Sequence, residues 1–130
     1  MLNPSTADGL TDDPTIRRCV GFAKTWGYSG IRVVNLYAYR ATIPKVLERM
    51  SYPIGPENDH YLRDECLGSQ IVIAAWGANA PMAREVQVLN LLRDIDVYCL
   101  EKTVLLGRPC HPLYQRADLK PQMFRPKVMA

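Results

Sequence analysis

Apolar and polar positions in this chain follow two alternating periods, and glycine or proline marks most of the changes between them. The strongest segment is Ser69-Gln70-Ile71-Val72-Ile73-Ala74-Ala75-Trp76, whose apolar run is unbroken from Ile71 to Trp76. Such a run suits a central parallel strand covered on both faces. It ends in the small-residue loop Trp76-Gly77-Ala78-Asn79-Ala80, and Pro81 then opens a helix to about Leu92. Val86, Leu89 and Leu92 keep helical spacing there. Gly30 leads into another strand, Ile31-Arg32-Val33-Val34-Asn35-Leu36-Tyr37, rich in β-branched residues. Asp13 as a cap and Pro14 at the first helical position start a helix to about Trp26, and Gly27 stops it. Its buried face is read as Ile16, Val20, Ala23 and Trp26. Glu57–Gly68 reads as a further helix, Pro44–Met50 as a short one and Val97–Leu100 as a short strand.

Strands alternating with helices predict an α/β fold in three α/β/α layers with a mainly parallel central sheet. Residues 1–118 are read as one domain. Residues 119–130 form a basic, proline-bearing C-terminal tail, expected to be disordered from about Pro121. At the other end, Met1-Leu2 reads as the last turn of a strand that breaks into Asn3-Pro4-Ser5-Thr6. A strand starting at residue 1 has almost no length. Its natural beginning is therefore expected upstream, with the recorded start too far downstream or the first strand missing.

Polar residues recur at the carboxyl ends of these strands. Asn3 follows the first, Asn35 interrupts the apolar run of the second, Gly77 follows the third, and His111 sits in a later proline-constrained loop. Parallel strands end on one edge of their sheet, where ligands of α/β proteins bind. The four positions are thus expected to line one cleft. Pro4 fixes its own φ and extends Asn3, aiming the amide out of the loop. A buried Asn35 amide needs partners from protein, water or ligand.

Composition adds bounds. The chain has 130 residues, 48% of them hydrophobic and 22% charged, which is ordinary for one globular domain. A net charge of +3 permits an anionic partner without requiring one. No apolar run reaches the roughly 18 residues of a membrane span, and no charged-then-apolar leader is present, so a cytoplasmic protein with no membrane partner is expected. Cys19, Cys66, Cys99 and Cys110 form no CxxC pair, and only His60 and His111 accompany them. A zinc or iron–sulfur site would need closer ligands, so no metal or other cofactor is expected.

Several blocks together resemble the family of domain of unknown function 1643, found mostly in bacteria and phages. They are Met1-Leu2-Asn3-Pro4-Ser5-Thr6-Ala7-Asp8 with Asp12–Arg18, Val33–Thr42, Gly55–Asp59, Ala74–Gly77 and His111–Tyr114. The order of these motifs is also similar to that of the uracil-DNA glycosylase superfamily. That likeness implies a glycosylase-like fold. It also implies a first-strand loop that positions water (Asn3-Pro4), an asparagine that reads a flipped base (Asn35), an apolar-Trp-Gly strand end (Trp76-Gly77) and a final His-Pro loop (His111-Pro112). The chain departs from the pattern in having Asn3 rather than aspartate, Met1 rather than glycine two residues earlier, and Leu113-Tyr114 after the His-Pro pair.

The resemblance implies a base-processing enzyme acting on the N-glycosidic bond of nucleic acid or nucleotides. Asn3 and His111 are its candidate catalytic residues. Asn3 would orient water, since an amide takes no proton near neutral pH, and His111 would donate to the leaving base. Pro4, Ser5, Thr6, Asn35, Arg40, Trp76, Gly77 and Tyr114 are the candidate substrate contacts, with aromatic rings offered for stacking and Arg40 for a phosphate. Two alternatives stand beside it: a non-catalytic nucleotide or nucleic-acid binding module, and an enzyme on another small anionic substrate held by Ser5, Thr6 and the arginines.

Overall fold

The computed structural model describes residue 1, residues 14–36 and residues 57–128. The predicted Pro44–Met50 helix and the candidate residues Asn3, Pro4, Ser5, Thr6 and Arg40 lie outside the described residues. Within them the elements run α1 (Pro14–Thr25), α2 (Asn58–Leu67), β1 (Val72–Ala74), α3 (Met82–Leu91), β2 (Val97–Cys99) and β3 (Gln122–Arg125). Helix boundaries fall within a few residues of the sequence expectation where glycine or proline marks them, whereas 31–36, the described part of the predicted strand Ile31–Tyr37, forms none of the strands.

The sheet differs from the expectation of a mainly parallel one. Its order is β1-β2-β3, with β1 parallel and β3 antiparallel to β2, so it is mixed. The physical reason is the return path. No helix lies between β2 and β3, and a parallel return would need a crossover of a dozen or more residues, usually helical. The third strand comes from the segment read as a disordered tail. Gln122-Met123-Phe124-Arg125 lies between Pro121 and Pro126, as suits an edge strand, and alternates half-buried and exposed positions. Phe124 meets Trp76 edge-to-face at 6.3 Å. The tail is tied down again where Trp26 Nε1 donates to the Leu119 carbonyl at 2.9 Å.

The apolar core sits between this sheet and the helices. Leu36, Leu62, Trp76, Val88, Leu92 and Val97 belong to it. On α1 Ala23 of the predicted face is buried and Ile16, Val20 and Trp26 are half-buried, while Phe22, outside that face, is buried beside them with Arg18 over its ring at 5.3 Å. On α3, Val86 is exposed, and Arg84, Glu85, Val88 and Leu89 turn inward. Arg63 joins α2 to the end of α3 through a two-pronged pair with Asp94, which holds that carboxyl down at about 2. Among the described residues no helix is long and apolar enough to cross a membrane.

Segment 31–36 is extended beside Met1. The Met1 amino group donates to the Val34 carbonyl at 2.7 Å, and the Met1 carbonyl accepts from Leu36 N–H at 2.7 Å. One residue bonding to two neighbours on either side of its opposite number is the parallel-ladder pattern. Burial pushes the Met1 amine down from 8.0 to about 6, against smaller opposing effects of Cys19 and Cys66. Between those pH values the unfolded chain binds more protons than the folded one, so stability rises with pH across the window. Each pH unit of that shift is worth about 1.4 kcal/mol. Urea unfolding of the chain beginning at Met1 should therefore show a gain of about 2 kcal/mol from pH 6 to pH 8. Nα-acetylated protein, measured in parallel, should lack that component.

Candidate functional site

Two of the predicted loops, at Gly77 and at His111, meet. Gly77 has φ +81°, a left-handed conformation that an L side chain rarely adopts, and its N–H donates to the Pro109 carbonyl at 3.0 Å. A Cβ at Gly77 would lie 3.4 Å from His111 Cβ. The loop after β1 and the His-Pro loop are thus in van der Waals contact. Asn35, Trp76 and Pro112 are among the residues that line a shared cleft.

His111 is held in a defined tautomer. Its Nδ1 accepts from the Leu113 N–H at 3.2 Å, which assigns the ring proton to Nε2 and makes that nitrogen the donor of the neutral ring. Pro112, behind it, is fully buried. Tyr114 is at φ +70° and 92% exposed, so its ring stands away from the core at the rim of this loop.

Asn35 carries the clearest chemical signal. Its Oδ1 is buried and has no hydrogen-bond partner among the described residues. Leaving such an acceptor unpaired costs about 1–3 kcal/mol. The backbone around it is fixed: Asn58 Nδ2 donates to the Asn35 carbonyl at 2.8 Å and to the Leu36 carbonyl at 3.2 Å. Arg84 Nε donates to the same Leu36 carbonyl at 3.0 Å, and its Nη2 pairs with Asp59. Asn58 and Asp59, at the start of α2, thus brace the backbone beside Asn35.

Trp76 is 5% exposed, and its Nε1 donates to Glu85 Oε1 at 2.8 Å. The same oxygen receives Arg108 Nε at 3.4 Å. Arg108 also donates to the carbonyls of Ala78, at 2.8 Å, and Ala80. One buried arginine therefore joins the loop before His111 to the loop after β1, and a carboxylate on α3 compensates its charge. Sequence reading missed Arg84, Glu85 and Arg108. The available signal was Glu85 standing three and four residues before Val88 and Leu89, on the apolar stripe of a helix.

Among the described residues no cluster of histidine, cysteine or carboxylate is arranged to hold a metal ion, and the four cysteines are free thiols. Burial pushes the Cys66, Cys99 and Cys110 thiols up, away from the thiolate form.

Two substitutions test this scaffold. Gly77→Ala should lose about 1–2 kcal/mol from the left-handed backbone alone and displace the His111 ring resonances in NMR spectra. Arg108→Met should cost more, about 3–5 kcal/mol, because it strands the Glu85 charge in the interior. Denaturant midpoints read both.

The model of a protein family described as "Protein of unknown function (DUF1643)" matches residues 1–113. None of the curated proteins and none of the solved structures matches the chain.

Proposed function

We propose, from the premise that the chain belongs to this family of unknown function, that it is a base-processing enzyme of uracil-DNA glycosylase-like fold. It takes one base of a nucleic acid or nucleotide against the strand ends at Asn35 and cleaves the N-glycosidic bond. The observation that carries this reading is the buried, unpaired Asn35 Oδ1. An acceptor kept dry on a braced backbone suits a ligand N–H, and the amide-like edge of a base offers one beside an acceptor for the Asn35 amide nitrogen. A base must leave its stack to reach such a position.

The chemistry then follows from the same residues. Water forms a bond to the sugar C1′ as the C1′–N bond breaks, and the bonding pair leaves with the base. His111, whose Nδ1 accepts from the Leu113 N–H, stabilises that developing anion through its other ring nitrogen in this reading. The attacking water gives up its proton to solvent or to the departing base. Asn3 orients the water in this reading.

A second reading keeps the fold and drops the reaction. Glu85, the buried carboxylate next to Trp76, is already engaged by Trp76 and Arg108 and so is not poised as a general base. This favours a binding module that recognises a base without cleaving it.

The test scores abasic-site formation on single- and double-stranded oligonucleotides carrying damaged or modified bases. Release by the wild-type protein should fall about 10²–10³-fold in His111→Ala. Asn35→Ala should lose both release and binding. Binding that depends on Asn35 without any release supports the module; neither activity removes both readings. Stability gives an independent readout: Asn35→Leu should stabilise the ligand-free protein by about 1 kcal/mol, since it deletes an unpaired buried acceptor. A loss of stability would mean that Oδ1 serves the fold.

A further inference from the structure

Positive charge is spread unevenly along the chain. Residues 102–128 hold six of the 16 lysines and arginines and one of the 13 acidic residues, so the rest carries 10 cations against 12 anions. The excess that makes the protein basic therefore lies in the segment that contains His111. Arg108 is buried against Glu85 and Arg116 pairs with Asp118, while Lys102, Lys120, Arg125 and Lys127 are exposed. Such an asymmetry points to an anionic partner for this segment.

The same segment holds apolar side chains out in water on an ordered support. Residues 101–110 fold back as a hairpin in which Lys102 and Pro109 are bridge partners. Thr103 N–H donates to the Arg108 carbonyl and Cys110 N–H to the Glu101 carbonyl, both at 2.8 Å. Gly107, at φ +61°, closes the turn by donating to the Thr103 carbonyl at 3.0 Å. The foot of the hairpin is pinned to the interior through Arg108. At its tip Val104, Leu105 and Leu106 are 99%, 94% and 69% exposed. Contiguous apolar side chains displayed in this way mark an interaction site. Tyr114, three residues beyond His111, is exposed as well and sits on a left-handed backbone. Strain of that kind gathers at ligand contacts.

We propose that the substrate is a single strand of nucleic acid several nucleotides long, and that the hairpin tip and Tyr114 take the faces of bases neighbouring the one held at Asn35. This inference rests on the base-processing reading and names the substrate class for it. The anionic backbone of the strand meets Lys102 and Lys120. Gln122 pairs with Cys99, which sets Lys120, two residues earlier, beyond the carboxyl end of β2, where the hairpin also begins. From His111 to the tip is about four residue levels, roughly 13 Å at about 3.3 Å each. At about 3.4 Å per nucleotide of a stacked strand, about four nucleotides cover that span. A mononucleotide ends short of the tip. A duplex suits it poorly, because stacking covers the base faces and an opened step admits a thin wedge rather than three adjacent aliphatic side chains. In a single strand the faces are free. A lipid surface accepts the tip and the lysines but has no use for the unpaired Asn35 acceptor.

The test measures fluorescence anisotropy of labelled single-stranded oligonucleotides of increasing length and of a duplex of the same sequence, with phosphatidylglycerol vesicles in parallel. Affinity for single strands should rise with length until about five nucleotides and exceed that for the duplex. Val104→Ser, Leu105→Ser and Leu106→Ser together should weaken binding of a strand of that length about 10-fold to 100-fold. The urea midpoint should not fall, since these side chains are exposed. Tyr114→Asn, which keeps a residue suited to the left-handed backbone, should weaken it about 10-fold. Strand binding that is lost in Asn35→Ala but intact in the tip variant overturns the inference and leaves the base-processing reading standing. The converse overturns that reading and still supports the tip as a strand contact. A preference for the duplex overturns the inference. So does vesicle binding, or a dimer, that the tip variant abolishes while strand binding persists. No binding of any strand overturns it too.

Discussion

Everything at the candidate site depends on one buried oxygen. Glu85 Oε1 accepts from Trp76 and from Arg108, and through Arg108 it reaches the carbonyls of Ala78 and Ala80. The side chains of Glu85 and Arg108 are both almost wholly enclosed. Charges removed from water to that degree persist only when each compensates the other and the remaining donors find acceptors. Here the arrangement locks the strand end at Trp76, the start of α3 and the loop that carries His111 into one unit. A ligand arriving at that edge meets a surface already organised, which limits the ordering entropy that binding would otherwise cost.

Asn35 is the counterpoint. Around it the backbone is over-determined by Asn58 and Arg84, yet its own side-chain oxygen is left without a partner among the described residues. Local rigidity around an unsatisfied acceptor is the opposite of what stability alone would select. Natural sequences break their own rules of polar satisfaction mainly where function requires it. The placement of Gly77 beside His111 has the same character, since its backbone angle is one that L side chains rarely adopt.

Much of this was legible in the chain. The continuous run Ile71–Trp76 and the helix after Pro81 announced the centre of the domain, because burial and proline leave strong local marks. The meeting of the Gly77 and His111 loops followed from topology alone. What escaped were features whose cause is not local. β3 lacks β-branched residues and sits between prolines, so its pairing with β2 is a tertiary effect that overrides weak propensity. The burial of Phe22, outside the predicted face of α1, reflects its packing on Trp26 at 5.5 Å. Buried arginines look like surface ones in a sequence, and only their partners distinguish them.

The antiparallel closure by β3 has a temporal side. Cys99 in β2 pairs with Gln122, which is 23 positions later (122 − 99). At ribosomal speeds of about 5–20 residues per second, β2 waits on the order of 1–5 s for that partner to be made. Throughout the interval one edge of β2 is open, and Trp76 lacks the Phe124 ring that later covers it. The nascent chain is thus most exposed to wrong pairing after its site loops exist and before its last strand arrives.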